Sequence, residues 1–478
     1  GTVSKKIQIQ LLDSLAESTT YTFNFGESIV DNNEGNILPF FRYALSTGSI
    51  IDSLEIRGKI TDAYERITET YTSIQLYPID STHNDSTIFL KKPFYATSTL
   101  DSVIYNFKNL RPDTYQIIAI KDVAGNYLFD QNVDKIGFLE NPITLPGDSI
   151  VNFRIFKETT NLFWTSPFFI NTNQIGFGYF GEADIDAIEV KSKVPRNFRY
   201  LINKNRKTDT LNFWFKGDKM DSLKFAIKEK DTTRLFNVKF RKELRDSLQI
   251  IPVTKSSMGL VDSFKIESNL PLVKINLDLI NIKGLDSLSV PFKASLDKNY
   301  DRLSLFYDWL PNDNYKIELL PNALIDFWGN THDTLRFRTE TKSVTDYGNI
   351  FLQIIRDDHD PFILELVNLK GETLRHFDVS KELDFYEFRY LEPGNYLFRY
   401  IKDKNGNKKW DTGNYLKKLK PEMVFYSPDT IELRANWEIN QQLKIPSTEF
   451  DNFSVPDSMG IDIKKQIPQV IDSLEISN

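Results

Sequence analysis

The chain has 478 residues, 40% of them hydrophobic and 26% charged, with 59 basic against 66 acidic side chains. At about 100–150 residues per domain this is material for several packed cores, and no basic stripe of the kind nucleic acid requires is present. Cysteine is absent, which excludes disulfides, thiolate nucleophiles and cysteine-ligated zinc; no run of 18 apolar residues could cross a membrane as a helix, and no signal-peptide pattern follows Gly1.

Aromatic residues make up 13%, led by 36 Phe and 21 Tyr against 4 Met, a bias toward strands. Period-two alternation starts at Lys6-Ile7-Gln8-Ile9-Gln10 and returns at Leu211–Phe215, Leu272–Leu277, Leu303–Tyr307 and Leu335–Thr339; a strand is also expected at Phe351–Ile355. Each run is short and bounded by Asn, Asp, Gly or Pro, the pattern of strands joined by tight turns. Turns are expected at Asn205, Gly217-Asp218 and Lys230-Asp231. No segment carries a clean 3.6-residue stripe, so helices should be few and short.

An internal duplication is the most specific feature. Tyr105, Phe107, Leu110, Pro112, Tyr115, Ile120, Lys121, Asp122, Gly125, Asn126 and Asp130 recur, identical and ungapped, 281 residues later as Tyr386, Phe388, Leu391, Pro393, Tyr396, Ile401, Lys402, Asp403, Gly406, Asn407 and Asp411. Asp148 and Ile150 continue the run as Asp429 and Ile431. A weaker, gapped match precedes each copy: Leu15, Tyr21, Ile29, Asp31, Gly35, Asn36, Arg42 and Thr47 against Leu310, Tyr315, Leu324, Asp326, Gly329, Asn330, Arg336 and Thr341. The repeated block is therefore an X module followed by a Y module. The expected order is a partial X module over 1–52, Y over 53–157, a separate β domain over 158–255, a second X over 256–342, a second Y over 343–446, and a tail over 447–478. The second X has about 45 residues before Leu310, including expected strands at Leu272–Leu277 and Ser287–Ala294, whereas 14 precede Leu15. The first X therefore lacks two strands' worth of sequence, which leaves open edges and an uncovered core. The natural chain is expected to continue upstream, or another segment to complete the sheet near 5–11 and 40–46.

Several strings carry a resemblance. Thr19-Thr20-Tyr21-Thr22-Phe23-Asn24-Phe25, Ile29-Val30-Asp31-Asn32-Asn33-Glu34-Gly35-Asn36 and Phe41-Arg42-Tyr43-Ala44-Leu45-Ser46-Thr47-Gly48 resemble the carboxyl half of S-layer-type (SbsA-like) Ig-like domains, as found in multidomain Ig-like envelope lipoproteins of Bacteroidota. Leu391-Glu392-Pro393-Gly394-Asn395-Tyr396 and Asp403-Lys404-Asn405-Gly406-Asn407 resemble prealbumin-like or carboxypeptidase-regulatory-like sandwiches. The resemblance implies an all-β, elongated array of tandem Ig-like and prealbumin-like sandwich domains with few helices. It also implies an envelope location, outer-membrane attachment through an upstream lipid anchor, on the cell-surface or periplasmic face, and a scaffold role without catalytic residues.

Candidate chemistry is sparse. Asp403, Asn405, Asn407 and Asp411 place side-chain oxygens at positions 1, 3, 5 and 9 of a loop, a spacing that can wrap calcium. Gly406 falls at position 4 rather than 6, no Glu follows at position 12, and the first copy has Ala124 where an oxygen is needed. The competing reading is an Asx turn with Gly at positive φ. No other cofactor is expected. Arg356-Asp357-Asp358-His359-Asp360-Pro361 gathers carboxylates and an imidazole, either a metal loop or a solvated turn. The four histidines, 83, 332, 359 and 376, form no metal-protease motif, and no nucleophile elbow, Walker loop or dinucleotide fingerprint occurs. Of six Trp, Trp328 and Trp410 are candidates for an exposed glycan platform, Trp309 and Trp437 for core ends. Phe163-Trp164-Thr165-Ser166-Pro167-Phe168-Phe169 reads as an interdomain seam or a partner-facing patch. The expected function is a non-enzymatic envelope scaffold, a lipoprotein subunit that engages other outer-membrane or envelope proteins and no nucleic acid. The alternative is a glycan-binding or calcium-stiffened surface adhesin.

Overall fold

The structure, a computed structural model, describes residues 14–445 except 32, 33, 39, 40, 148, 219, 230, 231, 242–245, 358 and 380–383. The Lys6 to Gln10 run, the segment 5–11, the Lys230-Asp231 turn, Asp358 and the tail 447–478 lie outside the described residues. Within them the chain is all-β, as the alternation predicts. A four-residue α-helix, Thr87–Leu90, and three single 3-10 turns interrupt a succession of short strands.

Two compact units are present. The first comprises Gly1–Tyr347, Tyr390–Glu392 and Trp410–Glu422, and the second Gly348–Arg389, Pro393–Lys409 and Met423–Asn478. In the first unit, strand pairing stays within four stretches of chain. Thr20–Asn24 and Arg42–Ser46 form an antiparallel pair. Eight strands between Leu54 and Lys157 form one sheet, in which Leu54–Asp62 runs parallel to Phe153–Lys157 and antiparallel to Ile104–Leu110. The stretch 163–239 folds around Trp164, Phe177, Phe213 and Phe225, with Phe225 edge-on to both other Phe rings at 5.0 and 5.1 Å. The stretch 250–341 makes two four-stranded sheets over a core of Phe264, Ile266, Leu303, Leu305, Tyr315, Ile317 and Leu319. The strands between Gly348 and Lys444 form a three-stranded sheet and a five-stranded one.

The sequence pattern explains which strands face water. In Asn314–Leu319, Tyr315, Ile317 and Leu319 are buried and Asn314 and Lys316 exposed, the alternation of a half-solvated strand. Thr114–Lys121 has six consecutive buried residues because both faces of its sheet are covered. The expected strand Leu272–Leu277 stops at Ile275 and gives way to a 3-10 turn over Leu277–Leu279; Ser287–Ala294 yields only the start of a strand, Lys293–Leu296.

The duplication is visible in register. Ile118 pairs with Gln75 on one side and Phe138 on the other; Arg399 pairs with Glu365 and Tyr426. Gln75, Ile118 and Phe138 thus occupy the same lattice as Glu365, Arg399 and Tyr426. The uniform spacing stops after Asp411. Ile431 pairs with Tyr396 as Ile143 pairs with Tyr115, so its counterpart is Ile143, not Ile150. The physical reason is an insertion: Thr412–Pro421 stands where the first copy has only Gln131–Val133. Both connections close the same way, with the amide of Asp130 donating to Asp134 (2.8 Å) and that of Asp411 to Glu422 (3.0 Å). The X modules share a tyrosine corner. The amide of Ala16 donates to Tyr21 Oη at 2.7 Å, and that of Leu310 to Tyr315 Oη at 2.8 Å. Ala16, rather than Leu15, is therefore the counterpart of Leu310.

Candidate functional site

The same lattice point carries opposite chemistry in the two Y copies. In the first, it is apolar. Ile118, Ile120, Ile136, Phe138 and Phe156 form a second buried cluster behind the main core, with Tyr77, Ile88 and Phe129. The lid on this cluster comes from the insertion, which belongs to the first unit. Tyr415 is fully buried there, edge-on to Phe138 at 5.4 Å and 6.3 Å from Phe89. Its amide donates to the buried carboxylate of Glu158, whose other oxygen accepts from Gln131 at 2.6 Å. Thr412 donates to the carbonyl of Lys157 at 2.6 Å, and the Lys418 ammonium sits 4.2 Å from the Tyr415 ring centre. Burial pushes the Tyr77 and Tyr415 hydroxyls well above the usual phenol range.

In the second copy, the equivalent residues are ionic. Arg399, 3% exposed, donates from Nε to Glu365 at 2.6 Å, from Nη2 to Thr373 at 2.9 Å and from Nη1 to Tyr426 Oη at 3.1 Å. Glu365 also accepts from Thr373 at 3.2 Å. His376 joins from the neighbouring strand Thr373–Val379. Its Nδ1 lies 3.2 Å from Glu365 and its Nε2 2.7 Å from Asp378. Two carboxylate acceptors favour the imidazolium, in which both nitrogens donate. Partial burial works to lower the His376 pKa, but the hydrogen bonds to Glu365 and Asp378 outweigh it and the net shift is upward. A buried ion pair holds where further hydrogen bonds satisfy its charged groups; Thr373 and His376 supply them to Glu365, and Thr373, Tyr426 and the Gly371 carbonyl to Arg399.

The predicted site residues fall elsewhere. Asp403, Asn405 and Asn407 belong to the second unit and Asp411 to the first. Asp403 accepts the amides of Asn407 (3.1 Å) and Lys408 (2.9 Å), Asn405 that of Asn407 (3.0 Å), and Asn407 that of Lys409 (2.9 Å). With Gly406 at φ +70°, this is an Asx-type turn. Asp122 in the first copy likewise accepts from Gly125 and Tyr127, each at 2.7 Å. In the Arg356–Pro361 segment, Arg356 caps the Phe362 ring at 4.7 Å and bonds the carbonyl of Asp360, whose carboxylate lies 3.4 Å from Lys402. His332 accepts the amide of Leu324 and faces the carbonyl of Asp333, a satisfied buried imidazole. Among the described residues no group of three or more His, Cys, Asp or Glu could hold a metal.

The tryptophans sort differently from expectation in part. Trp309 closes the second X core. Trp437 does not close a core; it is 47% exposed beneath Arg434, 5.0 Å away. Trp328 is no exposed platform. It meets Trp214 edge-on at 5.8 Å and donates to the carbonyl of Phe215, sealing the 163–239 stretch to the 250–341 stretch. Arg206 extends that seam to Asp297 and to Asp301, 2.7 Å away. Trp410 packs against Tyr64, the ring centres 4.8 Å apart and the planes tilted by 49°. A cleft of about 300 Å³ in the first unit, between Thr22, Arg42, Tyr95 and Asn106, has neither carboxylate nor imidazole in its lining.

Sequence reasoning missed Glu365, Arg399 and Tyr415. The signal for the first two was present: single charges inside the apolar strings Phe362-Ile363-Leu364-Glu365-Leu366-Val367 and Tyr396-Leu397-Phe398-Arg399-Tyr400-Ile401. For Tyr415 the signal was the length of the loop that carries it.

No protein-family model matches the sequence, and no curated protein matches it significantly. Solved structures similar to it include domains 4–9 of the surface layer protein SbsC, with 10% identity, 86% of this chain and 66% of that one covered, and a TM-score of 0.20. BcpA, the major pilin subunit of Bacillus cereus, shows 10% identity, coverage of 83% and 100%, and a TM-score of 0.16. A set of titin domains shows 12%, 58% and 99%, with a TM-score of 0.15. The architecture given above rests on this chain's own strand pairing and not on these superpositions.

Proposed function

We propose that the chain is a non-enzymatic scaffold of a bacterial cell envelope, an outer-membrane-anchored lipoprotein subunit that engages other envelope proteins. The observation that carries this reading is where the polar and aromatic chemistry is spent. The ion network at Glu365–Arg399 and the Asx turns brace modules internally, and the Trp214–Trp328 contact joins two neighbouring ones. A reaction centre needs an acid–base constellation converging on a pocket, and the lining of the cleft near Arg42 has neither carboxylate nor imidazole. Extraction in mild detergent followed by affinity purification at native abundance tests the reading. Stoichiometric envelope partners are expected; a chain that comes out alone counts against it.

The adhesin reading has one observation in its favour, the three side-chain oxygens of Asp403, Asn405 and Asn407 gathered in a single turn. Calorimetry with calcium and a polysaccharide panel separates the two; heat of binding with either supports the adhesin.

A further inference from the structure

The cleft near Arg42 is built from strand faces that all lie within residues 16–111 of the first unit. One wall is the antiparallel pair Thr20–Asn24 and Arg42–Ser46, in which Asn24 stands opposite Arg42. Side chains alternate along a strand, so Thr20, Thr22, Asn24 and Arg42 share a face. The other wall is the strand Ile104–Leu110. Its Tyr105 and Phe107 enter the main core of the 54–157 sheet, which turns Asn106 and Lys108 to the opposite face. Phe94, 48% exposed, lines the cleft as well, with the Arg111 guanidinium 4.8 Å from its ring centre.

Three charged side chains line the cleft, and all three are cations. Two are answered just outside it, Lys108 by Glu55 at 3.6 Å and Arg111 by Asp113 at 3.0 Å. Arg42 is not. Its Nη2 donates to the carbonyl of Asn106 at 2.5 Å, and among the described residues it forms no ion pair. Burial lowers the Arg42 pKa from its ordinary value, and the attraction of Glu55 offsets only part of that effect. A guanidinium drawn out of water with no carboxylate beside it is costly. Two neutral groups stand in the same position. Thr22 Oγ1 and Asn106 Oδ1 are buried, and neither makes a hydrogen bond among the described residues. Such atoms are rare in folded proteins, and these two line the same cleft as Arg42.

Together the three groups specify a ligand. Arg42 needs an anion that accepts, Asn106 Oδ1 needs a donor, and the Thr22 hydroxyl serves in either role. A carboxylate that also carries hydroxyls meets all three needs. At about 300 Å³ the cleft lies at the small end of ligand pockets, room for one ring and not for a chain of them. We propose that this cleft binds a sugar acid, a single hexuronate-sized ring, with its carboxylate on Arg42 and its hydroxyls on Thr22 and Asn106. The apolar face of the ring lies against Phe94. This goes beyond both readings above, since the scaffold reading assigns no small ligand and the adhesin reading gives its sugar no site.

Calorimetry of the full chain with sodium glucuronate, glucose and sodium acetate tests the proposal. Glucuronate should bind saturably. Glucose, which lacks the carboxylate, and acetate, which lacks the hydroxyls, should each bind at least about tenfold more weakly. Arg42→Gln and Thr22→Val should each weaken glucuronate by about tenfold. Thr22→Val keeps the shape of the side chain and removes a hydroxyl that has no partner in the fold, so its melting temperature should not drop and lost binding cannot be mistaken for lost structure. No heat with glucuronate, the result for a slot that holds only water, overturns the proposal. So does glucose or acetate binding as tightly as glucuronate, or an affinity unchanged in both variants, which would place the sugar elsewhere. None of these outcomes bears on copurifying partners, so failure here leaves the scaffold reading standing.

Discussion

The outer faces of the two Y copies began as one design and reached burial by different routes. In the first, the lattice of Gln75, Ile118 and Phe138 carries no charge, and the segment Thr412–Pro421, seven residues longer than its counterpart Gln131–Val133, covers it with Tyr415. In the second, the lattice of Glu365, Arg399 and Tyr426 is ionic and closes on itself through Thr373 and His376. The lesson is one of chemistry following cover. A face that receives an aromatic lid gains from apolar neighbours, at about 1.5–3 kcal/mol per large buried side chain. A face closed by its own edge strand can hold a salt bridge, because neighbouring hydroxyls and an imidazole use up the remaining polar capacity.

The comparison breaks most severely if one member of the ion pair is removed. Arg399→Ile, which writes the first copy's residue into the second, leaves Glu365 buried without its cation and should cost about 3–5 kcal/mol. The loss should appear as a lowered denaturant midpoint for the transition of the second unit. Tyr415→Ala empties a fully buried aromatic site, and a cost of about 3 kcal/mol is expected in the first unit by the same measurement. The double change Glu365→Gln with Arg399→Ile writes the first copy's residues into both positions of the ion pair. It should return most of what the single change lost, to within about 1–2 kcal/mol of the unaltered chain. A double variant as unstable as Arg399→Ile would mean that the pair's surroundings, rather than its charges, hold this face.

The smallest effect is pH-dependent. His376 has a folded pKa raised above its ordinary 6.5, so the stability it adds is fully present below that value and disappears as pH rises through the folded pKa. The melting temperature of His376→Gln should therefore fall further below that of the unaltered chain at pH 5.5 than at pH 8.5. An equal gap at both values would remove the imidazolium from the network.

Much of the fold was legible because strands announce themselves by alternation, and Leu211–Phe215, Leu303–Tyr307 and Leu335–Thr339 lie within or nearly within observed strands. The duplication was legible from Tyr105 to Asp130 because its identities sit on paired strands and their turn. It was misread at Asp429 and Ile431, since a chance pair of identities survived an insertion that shifts the true register to Ile143. The candidate site was far less legible. Period-two reading assigns Glu365 and Arg399 to a face, but cannot tell a solvated face from one closed by an edge strand that arrives later in the chain. Tyr415 was hidden for a related reason: its burial depends on strands that lie some 260–340 residues before it in sequence. The exposed Trp437, expected at a core end, shows the same limit from the opposite side.

The central claim is that the insertion in the second copy seals the first. Replacing Thr412–Pro421 with the three residues that stand at Gln131–Val133, and following amide hydrogen exchange, tests it directly. The account predicts lost protection in Thr114–Lys121 and Lys135–Phe138, with Gly394–Lys402 unchanged. Protection that persists in the first copy, or is lost only in the second, would contradict it.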